Sequence, residues 1–141
     1  MKGLSSNAFV VGFAIAIGGA SGCATTPPPT VPAVAEATTD SQGVQHAEIV
    51  AGSYWFRPQR VVVRADQPVE LGVRKQGGVV PHSFVLKAPE AGIDVAVPLA
   101  RERQVVEFTP TQPGTYTYYC DKSGLFGSHR EKGMVGVLEV K

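Results

Sequence analysis

Between residues 45 and 141 the apolar positions come in short alternating or β-branched runs, and Gly or Pro closes each one. No stretch carries the 3.6-residue period of an amphipathic helix. Residues 47–56 read as a first strand pair or one bent strand, with Trp55 and Phe56 filling the core. Residues 60–65 are β-branched, and Val69, Leu71 and Val73 alternate with Glu70 and Arg74 in the manner of a half-buried strand. Gln76-Gly77-Gly78 marks a turn, after which His82, Phe84 and Leu86 share one inward face. Residues 88–100, with two prolines, read as irregular chain wrapped around the outside. Residues 104–108 return as a strand, and 109–114 turn the chain over. In 115–120, Tyr116, Tyr118 and Cys120 fall on one face, the threonines and Tyr119 on the other. Many short strands joined by Gly/Pro turns predict an all-β sandwich.

Upstream of residue 45 the pattern changes twice. Lys2 precedes an apolar run, 8–17 (AFVVGFAIAI), too short for a stable membrane span but suited to a signal peptide. Ala20-Ser21-Gly22 then leads into Cys23 and resembles a bacterial lipobox. Residues 1–22 are therefore expected to be a lipoprotein signal and Cys23 the acylated first residue of the mature chain; an ordinary signal cut nearby is the alternative. Residues 23–44 are rich in Pro, Thr and Ala, lack aromatics and lose all apolar periodicity. They read as a linker, partly polyproline-like. Its roughly twenty residues would reach about 60 Å at about 3.1 Å each. The expected setting is the periplasmic face of a bacterial envelope membrane.

Charge removes one class of partner. Without Lys2 the chain carries 12 basic and 12 acidic residues, with no dense basic patch to bind nucleic acid. Arg57, Arg60 and Arg64 read as a solvated strand face, and Arg101-Glu102-Arg103 as a charged turn. About a hundred residues support one core, so one domain, 45–141, is expected; a monomer is the expected state.

The candidate chemistry lies in Gly114 to Val137. Cys120 is followed by His129 after eight residues and by Met134 after four more. In an oxidising compartment an unpaired cysteine needs an explanation, and with Cys23 acylated Cys120 has no partner. Thiolate, imidazole and thioether suit copper, and His82 is the candidate second imidazole of a His₂Cys set with a weak axial Met. The plainer alternatives are a buried Cys and Met as core residues and His82 as a satisfied core histidine. His46 has no donor near it in sequence and reads as surface.

These residues also carry a resemblance. PGTYTYYC resembles the cupredoxin strand that enters the ligand cysteine, and GMVGVLEV the plastocyanin-like exit through the methionine. The Cys-x₈-His-x₄-Met spacing is similar to the type 1 site of copper nitrite reductases and longer than the plastocyanin or azurin loop. The resemblance, over roughly 46–141, implies an eight-stranded Greek-key sandwich holding one type 1 copper. His82, Cys120 and His129 would be its equatorial ligands and Met134 the axial one.

Three positions depart from the family pattern. Ser83 stands where Asn commonly braces the cysteine loop, which implies a looser site. Asp121 follows the cysteine where small neutral residues are usual. Tyr119 stands where nitrite reductases place the histidine that bridges to a catalytic copper, so no enzyme activity is implied. The expected function is single-electron transfer with a redox partner protein, and a copper-binding or delivery module is the alternative. His129, on a loop, is expected nearer solvent than His82. Leu125 and Phe126, between Gly124 and Gly127, would form either a docking patch or a lid over the metal.

Overall fold

The computed structural model describes residues 33–141. The strands, in chain order, are β1 (Val34–Glu36), β2 (Thr38–Thr39), β3 (Gln45–Gly52), β4 (Trp55–Arg57), β5 (Arg60–Val63), β6 (Val69–Lys75) and β7 (Ser83–Ala88). They continue as β8 (Ile93–Pro98), β9 (Gln104–Phe108), β10 (Gly114–Tyr119), β11 (Ser123–Gly124), β12 (Gly127–Ser128) and β13 (Val135–Val140). One sheet runs β1-β5-β13-β10-β7-β8; the other runs β2-β3-β6-β9, with β4 paired to β3. Setting aside the short β1, β2 and β4 and the small hairpin β11-β12, eight strands form the two faces of the sandwich.

Alternation builds the core from both sheets. Val69, Leu71 and Val73 of one face Phe84, Leu86, Tyr118 and Leu138 of the other. Phe56, Phe84 and Tyr118 meet at the centre, Tyr118 standing 5.3 Å from Phe56 and 5.2 Å from Phe84. Its hydroxyl donates to the Pro58 carbonyl at 2.8 Å, so the buried polar tip is satisfied. Gly136 lies opposite Tyr118 in the ladder, and a Cβ there would overlap the tyrosine ring.

Three expectations are corrected. Residues 88–100 are not irregular. After one 3-10 turn, Pro89–Ala91, and Gly92 at φ 74°, they form β8, paired with β7 along six residues. The prolines fall in the preceding turn and at the last residue of an edge strand, the positions where a missing N–H costs least. The linker read over 23–44 is too long. Residues 34–39 join both sheets, β1 parallel to β5 and β2 antiparallel to β3. These edge strands are mostly exposed and held by backbone hydrogen bonds, so no apolar period betrays them. Trp55 is half-buried, with the Arg57 guanidinium 5.7 Å from its ring; Phe56 is in the core. The signal segment 1–22, Cys23 and residues 24–32 lie outside the described residues.

Two pairings position the site. Tyr119 pairs with Val135, which sets Cys120 beside Met134 and closes the loop 121–133 between β10 and β13. Tyr119 also pairs with Val85, which carries Cys120 and Asp121 alongside the start of β7.

Candidate metal centre

His82 immediately precedes β7, Cys120 immediately follows β10, and His129 follows β12 within the loop between β10 and β13. All three are buried. The Nδ1 atoms of His82 and His129 are 3.2 Å apart, and Cys120 Sγ is 3.4 Å from His129 Nδ1. One donor atom from each residue lies within 4.8 Å of the others. Met134 is fully buried; its carbonyl accepts from Cys120 N–H at 3.2 Å and its N–H donates to the His129 carbonyl at 3.0 Å. The backbone thus holds the methionine against two of the three donors.

The turn that presents His129 has its own local logic. Ser128 Oγ accepts from the Glu131 N–H at 3.2 Å, and the Glu131 carboxylate accepts from the Ser128 N–H at 2.9 Å. This is a capping box, Ser-x-x-Glu. Gly133 ends the turn at φ 90°, a conformation that favours glycine. Its signal in the sequence is the spacing of Ser128 and Glu131, which carries no apolar period.

Burial holds both imidazoles below their ordinary pKa, helped at His82 by the neighbouring His129 and at His129 by Lys132. Neutral rings keep a lone pair for a metal. Two such nitrogens, a thiol and a thioether gathered in a buried pocket form a donor set that fits one type 1 copper.

Ser83 is not the loose brace expected, because Asp121 partners it. Ser83 Oγ donates to Asp121 Oδ1 at 2.6 Å and accepts from the Asp121 N–H at 3.0 Å. A hydroxyl has one proton, and the carboxylate at 2.6 Å takes it in preference to Cys120 Sγ at 3.5 Å. The sulfur instead accepts the Ser83 N–H at 3.4 Å. Ser83 is short, but Asp121 reaches to it, so the pair latches β7 to the ligand loop. This hydrogen bond also holds the Asp121 carboxyl below its ordinary pKa, with Lys122 adding to the effect.

The solvent side of the centre also departs from expectation. His129 is 2% exposed and His82 5%, so the loop histidine is not the more open one. The Tyr54 ring packs against it, edge-on to the His129 ring at 5.0 Å and 80°. Leu125 and Phe126 do not serve as a lid. They form the tip of the β11-β12 hairpin and are 99% and 86% exposed. His46 lies on the sheet surface as read, 2.8 Å from Asp40 and 3.4 Å from Glu70.

Residues 29–137 match the family model of the cupredoxin-like domain, and the chain belongs to that family. Its fold is similar to the metal-binding domain of the Cu(I)-exporting P-type ATPase of Streptococcus pneumoniae: TM-score 0.59, 17% identity, 77% of this chain and 95% of that one covered. It is likewise similar to reduced auracyanin from Roseiflexus castenholzii, with TM-score 0.56, 19% identity and coverage of 68% and 96%. Auracyanin A of Chloroflexus aurantiacus, a blue copper protein, gives TM-score 0.52, 24% identity and coverage of 70% and 100%. At these identities the likeness is one of fold.

Proposed function

We propose that this protein is a type 1 copper protein that transfers single electrons at a bacterial envelope membrane, with Cys23 as its lipid anchor. The observation that carries the reading is the convergence of His82, Cys120 and His129, all buried, with their donor atoms within 4.8 Å of one another. In this assignment those three residues are the strong ligands and Met134 is the weak axial one. Copper, when bound, supplies a one-electron couple between Cu(I) and Cu(II). The chain's task is to change little as the electron comes and goes. The β10–β13 pairing fixes Cys120 against Met134, the Ser83 N–H fixes the sulfur, and the Ser128–Glu131 box fixes His129.

No catalytic step is assigned. The Tyr119 ring lies 4.4 Å from the Arg130 guanidinium, and no relay histidine stands at that position. Leu125 and Phe126, exposed on the ligand loop, are the proposed contact for a redox partner, whose encounter would need only a small area. A delivery module is the second reading, favoured by the likeness in fold to the ATPase metal-binding domain. Adding Cu(II) to the purified protein separates the two. An intense visible thiolate-to-copper band, lost in Cys120→Ser with the fold intact, is the expected result. A colourless, readily exchanged Cu(I) site would favour delivery, and a blue Cys120→Ser protein would end the type 1 assignment.

A further inference from the structure

We propose that Tyr54 is the lid of the metal centre, a positioning residue contributed by the opposite sheet that closes the solvent side of His129. The proposal rests on His129 being a ligand. Gly52 pairs with Trp55, so Ser53-Tyr54 is the two-residue loop between β3 and β4. Tyr54 takes φ 66° there. Glycine or asparagine occupies such a position freely, whereas a bulky aromatic residue does so only when its surroundings hold it.

What holds it is the ligand loop. The Tyr54 ring meets the His129 ring edge-on at 5.0 Å, and the Tyr54 hydroxyl accepts from Lys132 Nζ at 3.3 Å. The same ammonium lies 4.5 Å from the centre of the tyrosine ring. Lys132 and His129 belong to one loop closed by Ser128 and Gly133, so Tyr54 ties that loop to a turn of the other sheet. Glycine at residue 54 would relieve the backbone and leave the outer edge of His129 open to water. The strained tyrosine leaves a histidine on a surface loop only 2% exposed, while the apolar pair on the same loop points away. With the ring in this place, a metal held by His129 would exchange only as fast as Tyr54 moves aside.

The test uses the full chain with Tyr54→Gly, Tyr54→Asn and Tyr54→Phe. Glycine and asparagine both accept the positive φ, so the apo-protein should keep its melting temperature in at least one of them. In apo-protein, carbethoxylation of His129 by diethyl pyrocarbonate is followed by mass spectrometry, with the half-exposed His46, at the far end of β3 from Tyr54, as the internal reference. His129 should react about tenfold faster in Tyr54→Gly or Tyr54→Asn, the effect of losing an edge-to-face ring pair and its burial. Tyr54→Phe keeps the ring and loses only the Lys132 tie, so its rate should stay within about twofold of wild type. In copper-loaded reduced protein, transfer to excess bathocuproine disulfonate should accelerate in the same order, with the visible band of the oxidised form unmoved. Wild-type modification rates in Tyr54→Gly and Tyr54→Asn would overturn the lid. Unfolding of both variants would make Tyr54 a packing residue and overturn it equally. Failure of wild-type protein to bind copper would refute the ligand assignment alone, because the modification arm reads the cover over His129 without metal.

Discussion

Replacing Ser83 by Ala removes one oxygen and leaves the surrounding shape almost unchanged, so its effect isolates the latch. Two hydrogen bonds disappear: the hydroxyl to the Asp121 carboxylate at 2.6 Å and the Asp121 N–H to the hydroxyl at 3.0 Å. A neutral bond contributes about 1 kcal/mol and one to a charged group about 1.5–3 kcal/mol. Asp121 is exposed, with its side chain also 3.4 Å from Lys122, so water recovers much of the charged bond. The net loss works out at about 2 kcal/mol, or roughly 8 °C in melting temperature for a domain of this size. The Ser83 N–H to Cys120 Sγ bond is backbone and survives, so the copper band should keep its position. Calorimetry of the apo-protein measures the first quantity and visible absorption of the loaded protein the second. Asp121→Ala removes the carboxylate bond and the exposed contact with Lys122, keeps the Asp121 N–H to Ser83 bond, and should cost about half as much. In a double-mutant cycle the two losses should not add. A Ser83→Ala protein melting within about 1 °C of wild type would refute the latch, since a hydrogen bond of ordinary worth moves a small domain further than that. A shifted visible band would show that the hydroxyl, not the backbone, serves the sulfur.

Three further outcomes follow from the same geometry. Met134→Leu should keep copper and raise the reduction potential by voltammetry, because loss of a sulfur donor and of water access both disfavour Cu(II); an unchanged potential would make Met134 core packing. Changing Leu125 and Phe126 together to Ser should slow second-order electron exchange with the partner and leave spectrum and stability unaltered, as both side chains are already in solvent. Hydrogen bonds from His46 and from the Val44 and Gln42 N–H groups hold the Asp40 carboxyl below its ordinary value of 3.8. A depressed carboxyl stabilises the fold above that value and stops doing so as pH falls through the lower, folded one. Asp40→Asn should therefore lower the melting temperature at pH 6 and leave it unchanged near pH 2, and equal losses at both would remove the pair from the account.

Much of this molecule was legible along the chain because its causes are local. Val69, Leu71 and Val73, or Tyr116, Tyr118 and Cys120, declare a strand and its inward face through a two-residue period. The donor types at 120, 129 and 134 declare soft-metal chemistry by identity alone. The alternation did turn His82 inward, but only the strand pairing brought it to within 3.2 Å of a ring 47 positions away. Elements held by backbone pairing rather than apolar burial left no pattern to read, which is why β1 and β2 passed for linker. The two prolines of 88–100 suggested irregular chain where an edge strand tolerates them. Side-chain partnerships between distant segments were equally silent. Ser83 looked too short until Asp121 was seen to reach it, and Leu125 and Phe126 competed for a role that Tyr54 holds from the other sheet. Composition and period report what a residue prefers, and which residues meet is decided by non-local strand pairing, whose register no single segment encodes.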